Sequence, residues 1–525
     1  MKTKLFIITS FLLTQIIAQT NNCPDVFKIS PELQLKRNKN GFPSSLKILV
    51  KYSNGDFLGI FTNSYTEPPY MGFIQFNSNL EITKTNAKEE YTGFTFYEFK
   101  TKKYFLVHEN NLTKILDFNS IKLDFNDAPV KTLTSGEGKL KYKLNMDSTK
   151  ALAIYSIDEA SNKDLINVKV GFVVIDDNFD VLFKKECNLI GYRQRKVNKI
   201  MNYKNDYIPS TPIFQGVLTN DGKVVLLYEC FYDDSKELIK NGKTNFYYKT
   251  LIFEKNASEP IVSNIYLENY FVDYRNEPKL ILNSNNKVSI SFMCNKDAEI
   301  ARPDGFKGNG VSAICHIDLD THTGKDYNIK DNIIEIPNEV LKQYTTPSSK
   351  KYLTDYITLE LVVPMPDGSV KFICEEQNNS EKGSVYIMSF APDNKYEWTK
   401  KIPRRISSFS NTSQLIYSGG FNFLINKGNL DLLYRGNTSN FNLPLNQDPK
   451  ISNREKELQI LISRIDSKGN INTSLLMDKE SIKYDFIPEP KDFKKTGNCL
   501  YYMFDDLNGS RILKTSQYLF TISPK

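Results

Sequence analysis

The stretch VGFVVIDDNFDVLFKKEC, residues 170–187, carries the reading that decides the fold. Val170, Phe172 and Val174 alternate with other residues before Asp176-Asp177-Asn178, and Phe179, Val181 and Phe183 alternate after it. A period of two sets side chains on one face of a strand. Two such runs around a polar tip make a β-hairpin signal.

Working outward, the same device recurs along the chain. LKILVKYSNGDFLGIFT turns at Asn54-Gly55, FTFYEFKTKKYFLVHEN near Lys102 and KYKLNMDSTKALAIYSI near Ser148. FQGVLTNDGKVVLLYECFY turns at Asp221-Gly222, KLILNSNNKVSISFMCN near Asn285 and LELVVPMPDGSVKFICEE at Asp367-Gly368. GFNFLINKGNLDLLYRG turns at Gly428 and DFKKTGNCLYYMFDD at Gly497. Such tips need positive φ, which Gly and Asn supply at least cost. A second hairpin follows most of them, as at 72–84, 249–267, 313–329, 385–402 and 460–476. The repeating unit is therefore two hairpins, or four antiparallel strands.

Four-stranded units repeated radially make a β-propeller. The chain is expected to be all-β, a single propeller over 46–525 with eight blades favoured and seven possible, the unit around 93–125 being the weakest. Segment 19–45 is expected to latch the ring, with VFKISPELQLK (26–36) beside SQYLFTIS (516–523). NIIEIPNEVLKQY (332–344) is the best helical candidate, as one short insertion.

Residues 1–18 read as a secretory signal peptide: Lys2 and Lys4, then the apolar run Leu5 to Ile17, then Ala18 at a cleavage site. Cys23 lacks the Leu and small residues of a lipobox before it. No later run approaches the about 18 apolar residues of a spanning helix. Removing Lys2 and Lys4 leaves 66 basic against 61 acidic residues, a mild +5 with scattered charges. That balance gives no nucleic-acid footprint. Two basic clusters, Arg193, Arg195, Lys196 and Lys199, then Lys400, Lys401, Arg404 and Arg405, read first as solvated loops.

The seven cysteines are odd in number and irregular in spacing, without a CxxC pair, so most read as buried small hydrophobes. A Cys23–Cys499 disulfide tying the chain ends is one alternative in an oxidising compartment. Three histidines exist, His108, His316 and His322, in two different units, which argues against a three-His metal centre. His316 reads as a strand residue and His322 as a turn residue. DLDTHTG (318–324) resembles part of a calcium loop, but Ile329 stands where the twelfth-position Glu belongs, so an acidic hairpin turn is favoured. No GxSxG occurs, and no sialidase-type turn repeats beside the single Trp398. The sequence implies no catalytic residues, no cofactor and no metal, and enzyme activity is disfavoured.

Three connections exceed hairpin length, 191–211, 295–310 and 437–457, and loops of that size are commonly functional. Tyr192, Arg193, Arg195, Tyr203, Tyr207, Arg302 and Phe306 on the first two are the candidate interface residues, being types enriched at protein-binding hot spots.

LNMDSTKALAIYSIDEASNKDLINVKVGFVVIDDNFDVLFKKE resembles a turn-and-strand pattern of exported propeller-like proteins of Bacteroidota, especially flavobacteria. VYIMSFAPDNKYEWTKKIPRR and ILISRIDSKGNINTSLLMDKE are similar to their later hairpins, with Asn394 and Lys395 departing from their usual Gly and Ser. The resemblance implies a propeller and an envelope or secreted location. That family is uncharacterised and brings no site residues. The expected function is a non-catalytic exported propeller acting as a protein-interaction scaffold in the cell envelope, at the periplasmic side. The alternative is a glycan-binding or glycan-processing propeller, marked by stacked aromatics and paired acids at one face.

Overall fold

The computed structural model describes residues 25–29, 45–52, 54–63, 70–89, 94–99, 103–109, 112–119, 124–125, 131–134, 141–145, 147–161, 165–192, 214–232, 246–268, 278–283, 285–294, 313–335, 357–377, 381–407, 420–441, 447–452, 458–477, 493–496, 499–507 and 515–524, with Lys122, Pro129, Thr244, Tyr270, Val272, Leu443 and Pro444. Among the described residues the strands form eight sheets of four or five strands each, antiparallel apart from one short parallel pair in the fourth. Their first strands are Ser45–Lys51, Phe94–Glu98, Lys141–Leu144, Phe214–Leu218, Lys279–Leu282, Ile357–Pro364, Asn422–Asn426 and Lys494–Thr496. Within a sheet the strands follow chain order. In the eighth sheet, the outermost strand is instead Asp25–Ile29, antiparallel to Thr515–Pro524 with Val26 opposite Ser523.

The sheets form a ring because each second strand is apolar on both faces. In VVLLY (224–228), Val224, Leu226 and Tyr228 pack on the third sheet, while Val225 and Leu227 pack on the fifth. Equivalent cores fill the seams from the fifth sheet to the eighth. Phe99 and Ile115 join the second sheet to Ala151 and Phe179 of the third, and Phe73 meets Phe118 at 5.3 Å between the first and second. Tyr501 closes the circle by joining the apolar cluster of the first sheet, its hydroxyl accepting Leu49 N–H at 2.8 Å. The first strands line the centre and are stitched by side-chain amides: Gln215 donates to Pro278 O and accepts from Leu280 N, and Asn422 donates to Phe493 O. These bonds satisfy polar groups that a bare sheet edge would expose. The result is a β-propeller.

Antiparallel order sends alternate connections to opposite faces. One face holds the tight turns, with Gly55, Ser148, Gly222, Asn286, Gly368 and Gly428 at positive φ as their sequences require. Neighbouring turns bond across the seams. Lys150 donates to Asn220 O, Asn220 N–H to Asn286 Oδ1, and Asn286 Nδ2 to Asp221. Strand ends bracketing 193–213, 232–245, 295–312, 336–356, 408–421, 437–458 and 478–493 all lie at the other face.

The third sheet is longer than the rest. Lys150–Ser161, Leu165–Asp176 and Val181–Tyr192 pair along almost their full length, whereas Lys141–Leu144 covers only 151–154.

Three expectations are corrected. In the opening hairpin, Phe179 lies in the turn at φ 60° and tucks edge-on against Phe99, while Val181 is 46 % exposed. A bulge between Val174 and Ile175 breaks the second alternation, so Ile175 faces Val181. The stretch 313–329 does not fold back on itself. Its Tyr327–Asn328 adds in parallel to Ile265–Tyr266 of the fourth sheet, where Asp326 accepts from Asn264 N and Nδ2. Finally, the start of the helical candidate is a strand, Ile333–Glu335 with β-branched Ile333 and Ile334, paired with Ala313–Cys315 after a 3-10 turn at Ile329–Asp331, and its remainder, 336–344, lies outside the described residues.

Candidate functional site

Tyr192 ends the outer strand of the third sheet, opposite Leu165, at the long-connection face. Arg193, Arg195, Tyr203, Tyr207, Arg302 and Phe306 lie outside the described residues, as do Cys23 and the signal peptide. Two seams at this face hold clusters that the sequence reading did not single out.

The first lies on the fourth sheet, on the face turned to the third. Cross-strand pairing sets Tyr247 opposite Cys230, and Tyr247 and Tyr266 each lie one residue beyond the Tyr248–Ile265 pair. The Tyr232 and Tyr247 rings lie 5.0 Å apart and those of Tyr247 and Tyr266 5.7 Å apart, all half-buried. Tyr266 donates its hydroxyl to Asp326 at 3.3 Å, and Lys249 Nζ sits 5.8 Å from the Tyr247 ring. Burial pushes the phenols of Tyr228 and Tyr247 and the thiol of Cys230 above their usual ranges, and takes Cys187 up to about 11. These groups stay protonated at neutral pH and are not nucleophiles. A half-exposed aromatic ladder flanked by Asn264, Asp326 and Lys249 suits stacking and hydrogen bonding.

The second cluster, at the sixth–seventh seam, is ionic. Glu375 is fully buried, with one carboxylate oxygen on Lys382 at 2.5 Å and the other on Arg404. Arg404, 1 % exposed, donates Nε to Gly383 O and lies over the Phe421 ring, while its Nη1 meets no hydrogen-bond partner among the described residues. A bulge after Glu375 re-aims the next residue, and Glu376 accepts from Ser384 N. Burial pushes Glu376 above the usual carboxylate range, against the pull of Ser384, Lys401 and Arg405, and burial lowers Lys401. Lys401 and Arg404 are therefore interior residues, not the solvated loop their sequence implies. They read as solvated because the acids they meet, Glu375 at Arg404 and Glu376 near Lys401, are distant in sequence.

Above this cluster the connection 437–457 is partly built in. Asn440 exchanges two hydrogen bonds with Lys450, Asn437 caps Ser439, and Ser452 N–H donates to Arg405 O. The buried ions support a fixed shelf at this face.

Other sequence-marked groups are structural. His316 is a buried strand residue bonded to Ser291 Oγ at 2.7 Å, and burial lowers its pKa. His322 is a turn residue whose Nδ1 meets Lys223 Nζ at 3.0 Å. The Asp320 carboxylate is taken up by Thr323 and His322 N–H within its own turn. Among the described residues no group of three metal-ligating side chains gathers, and no helix is long and apolar enough to cross a membrane. Cys230, Cys294, Cys315 and Cys374 are buried, and Cys187 is half-buried.

No family model and no curated protein matches the chain. Among solved structures it is similar to the propeller domain of the Trilobed protease from Pyrococcus furiosus, at 11% identity over 83% of this chain and 98% of that one, TM-score 0.35. It is also similar to the WD40 domain of SCAP from fission yeast, at 8% identity, 95% and 98% coverage and TM-score 0.37. Polysaccharide lyase Uly1 follows at 12% identity, 91% and 89% coverage and TM-score 0.35. At such scores these likenesses carry nothing about function.

Proposed function

We propose that this chain is a non-catalytic exported propeller that serves as a protein-interaction scaffold in the cell envelope, on its periplasmic side. The observation that supports this is the division of labour between its faces. The tight-turn face is bonded to itself, while the extended connections, the tall third sheet and the shelf over Arg404 share the opposite face. A rigid ring that fixes the ends of its contact segments reduces the entropy lost on binding. The test is capture of tagged mature chain with its partner from gently solubilised envelopes of its own organism. Tyr192→Ala with Arg193→Ala, or Arg302→Ala with Phe306→Ala, is expected to abolish a stoichiometric partner without lowering thermal stability. A partner kept by both variants but lost on substitution in the tight turns overturns the assignment.

A second reading, glycan binding, is favoured by the ladder of Tyr232, Tyr247 and Tyr266 with Asn264 and Asp326 beside it. Each stacked aromatic offers an apolar face to a sugar ring. It predicts binding on a carbohydrate array that Tyr232→Ala removes; an array without signal rejects it.

A further inference from the structure

We infer that the outer half of the fourth sheet, on the face turned to the third, binds an oligosaccharide that carries acidic groups, with sugar rings on Tyr247 and Tyr266 and an acidic group on Lys249. The inference deepens the glycan reading by naming the class of sugar, and it rests on that reading.

The surface follows from strand register. Period two puts Leu251, Lys249 and Tyr247 on one face of Phe246–Phe253. Pairing with Ile261–Tyr266 sets Val262 beside Leu251 and Asn264 beside Lys249, with Tyr266 next on the same face. Leu251 packs on the third sheet and is 6 % exposed, whereas Val262 is 40 % exposed. The cover given by the third sheet therefore ends between these two strands. Its outer strand, Val181–Tyr192, packs over Val224–Phe231, with Phe183 and Cys187 against the core there. Past that cover, Tyr247, Lys249, Asn264 and Tyr266 stand half-buried, and Tyr232 extends the row of rings. Lys185 crosses from the third sheet to donate to Ala257 O and bounds the surface on the side of the tight turns.

Chemistry selects the occupant. A peptide adding as a strand finds no template here, because Tyr327–Asn328 already pairs with the outer edge at Ile265 and Tyr266. Recognition falls to side chains, namely phenol rings, an amide and an ammonium. The rings take the apolar face of a sugar. The Tyr266 hydroxyl donates to Asp326, and its oxygen can still accept from a sugar hydroxyl. Charge then sets the class of sugar. One oxygen of Asp326 accepts from Asn264 N and Nδ2 and the other from Tyr266, so its lone pairs are largely taken. Lys249 makes no ion pair among the described residues, and its Nζ lies 5.8 Å from the Tyr247 ring. An ammonium beside a ring that stacks a sugar gains a charge-assisted bond from a carboxylate or sulfate on that sugar.

The test applies the mature chain to a carbohydrate array holding neutral, uronate-bearing and sulfated oligosaccharides, then titrates the best binder of each class by calorimetry. An acidic class is expected to bind about tenfold more tightly than the neutral one, the worth of one charge-assisted bond, and to weaken as salt is raised. Whichever acidic class answers identifies the acidic group. Lys249→Gln is expected to lower acidic affinity about tenfold with an unchanged melting temperature. Lys287→Gln, in an exposed turn of the fifth sheet, is expected to leave it unchanged, which separates a local bond from net charge. Neutral sugars bound as tightly as acidic ones, or an acidic preference that survives Lys249→Gln, overturn the inference. If neutral sugars alone bind and Tyr232→Ala removes them, the inference fails and the glycan reading stands. An array without signal rejects both.

Discussion

The two faces of this ring solve the backbone's hydrogen-bonding problem in different ways. At the tight-turn face, side chains of the turns cap their own loop and then the next: Asp176 accepts from Asn178 and Asp180 N–H, while Asn286 reaches across to Asn220 and Asp221. At the long-connection face, the described residues of 437–452 are tied down by Asn440 and Ser452 beside buried ions. The first arrangement is local, repeated and redundant. The second concentrates its support in a few residues.

The comparison is broken most severely at Arg404. Arg404→Met leaves Glu375 buried with Lys382 as its one cation and should cost about 3–5 kcal/mol, the penalty for an uncompensated buried charge; a shift in denaturant midpoint reads it. A midpoint equal to wild type would mean that the shelf does not depend on the ions. Next comes Phe172→Ala in the third–fourth seam, where the ring is fully buried and meets Phe183 and Phe253 edge-on. A loss of about 3–5 kcal/mol is expected, shared by both faces because the seam serves both. Smaller is Asn286→Ala, which removes two inter-turn bonds and places Ala at φ 61°. About 1–2 kcal/mol is expected, with Asn286→Gly losing less because the turn keeps its conformation.

The smallest effect concerns acid. The Thr323 hydroxyl, with the His322 and Thr323 amides, holds Asp320 below its ordinary value of 3.8. A lowered carboxyl stabilises the fold above its unfolded value, and that contribution is lost as pH falls through the lower folded value. Amide exchange in 319–326 should therefore accelerate below pH 3.8, relative to the rest of the tight-turn face, and Asp320→Asn should flatten the response. An Asp320→Asn profile matching wild type would remove Asp320 as the cause.

What the sequence discloses follows the same division. The hairpins at Asn54-Gly55, Asp221-Gly222 and Asp367-Gly368 are legible because a turn needing positive φ leaves Gly in place, and because strand periodicity is local. The register slip at Val181 is not, since a bulge depends on what Phe179 finds in the neighbouring sheet. The crossing of Tyr327–Asn328 to the fourth sheet is hidden for a related reason: its partner strand, Ile261–Tyr266, lies far back in the chain. The Tyr232, Tyr247 and Tyr266 ladder needs the pairing of three strands before three scattered tyrosines become one surface. Arg404 and Glu375 look like ordinary surface charges until the fold removes water from both.

Asp25–Ile29 carries a mechanical consequence. Asp25 lies opposite Pro524 and Ile29 opposite Phe520, so residues 25 and 524 sit side by side at one end of an antiparallel pair. Tension applied between those two points loads the hydrogen bonds one at a time, as a zipper, instead of shearing them together. The same pairing that completes the eighth sheet at rest is thus the place where the ring yields first under load, peeling the strand from its edge while the seven seams between Ser45 and Thr496 remain closed.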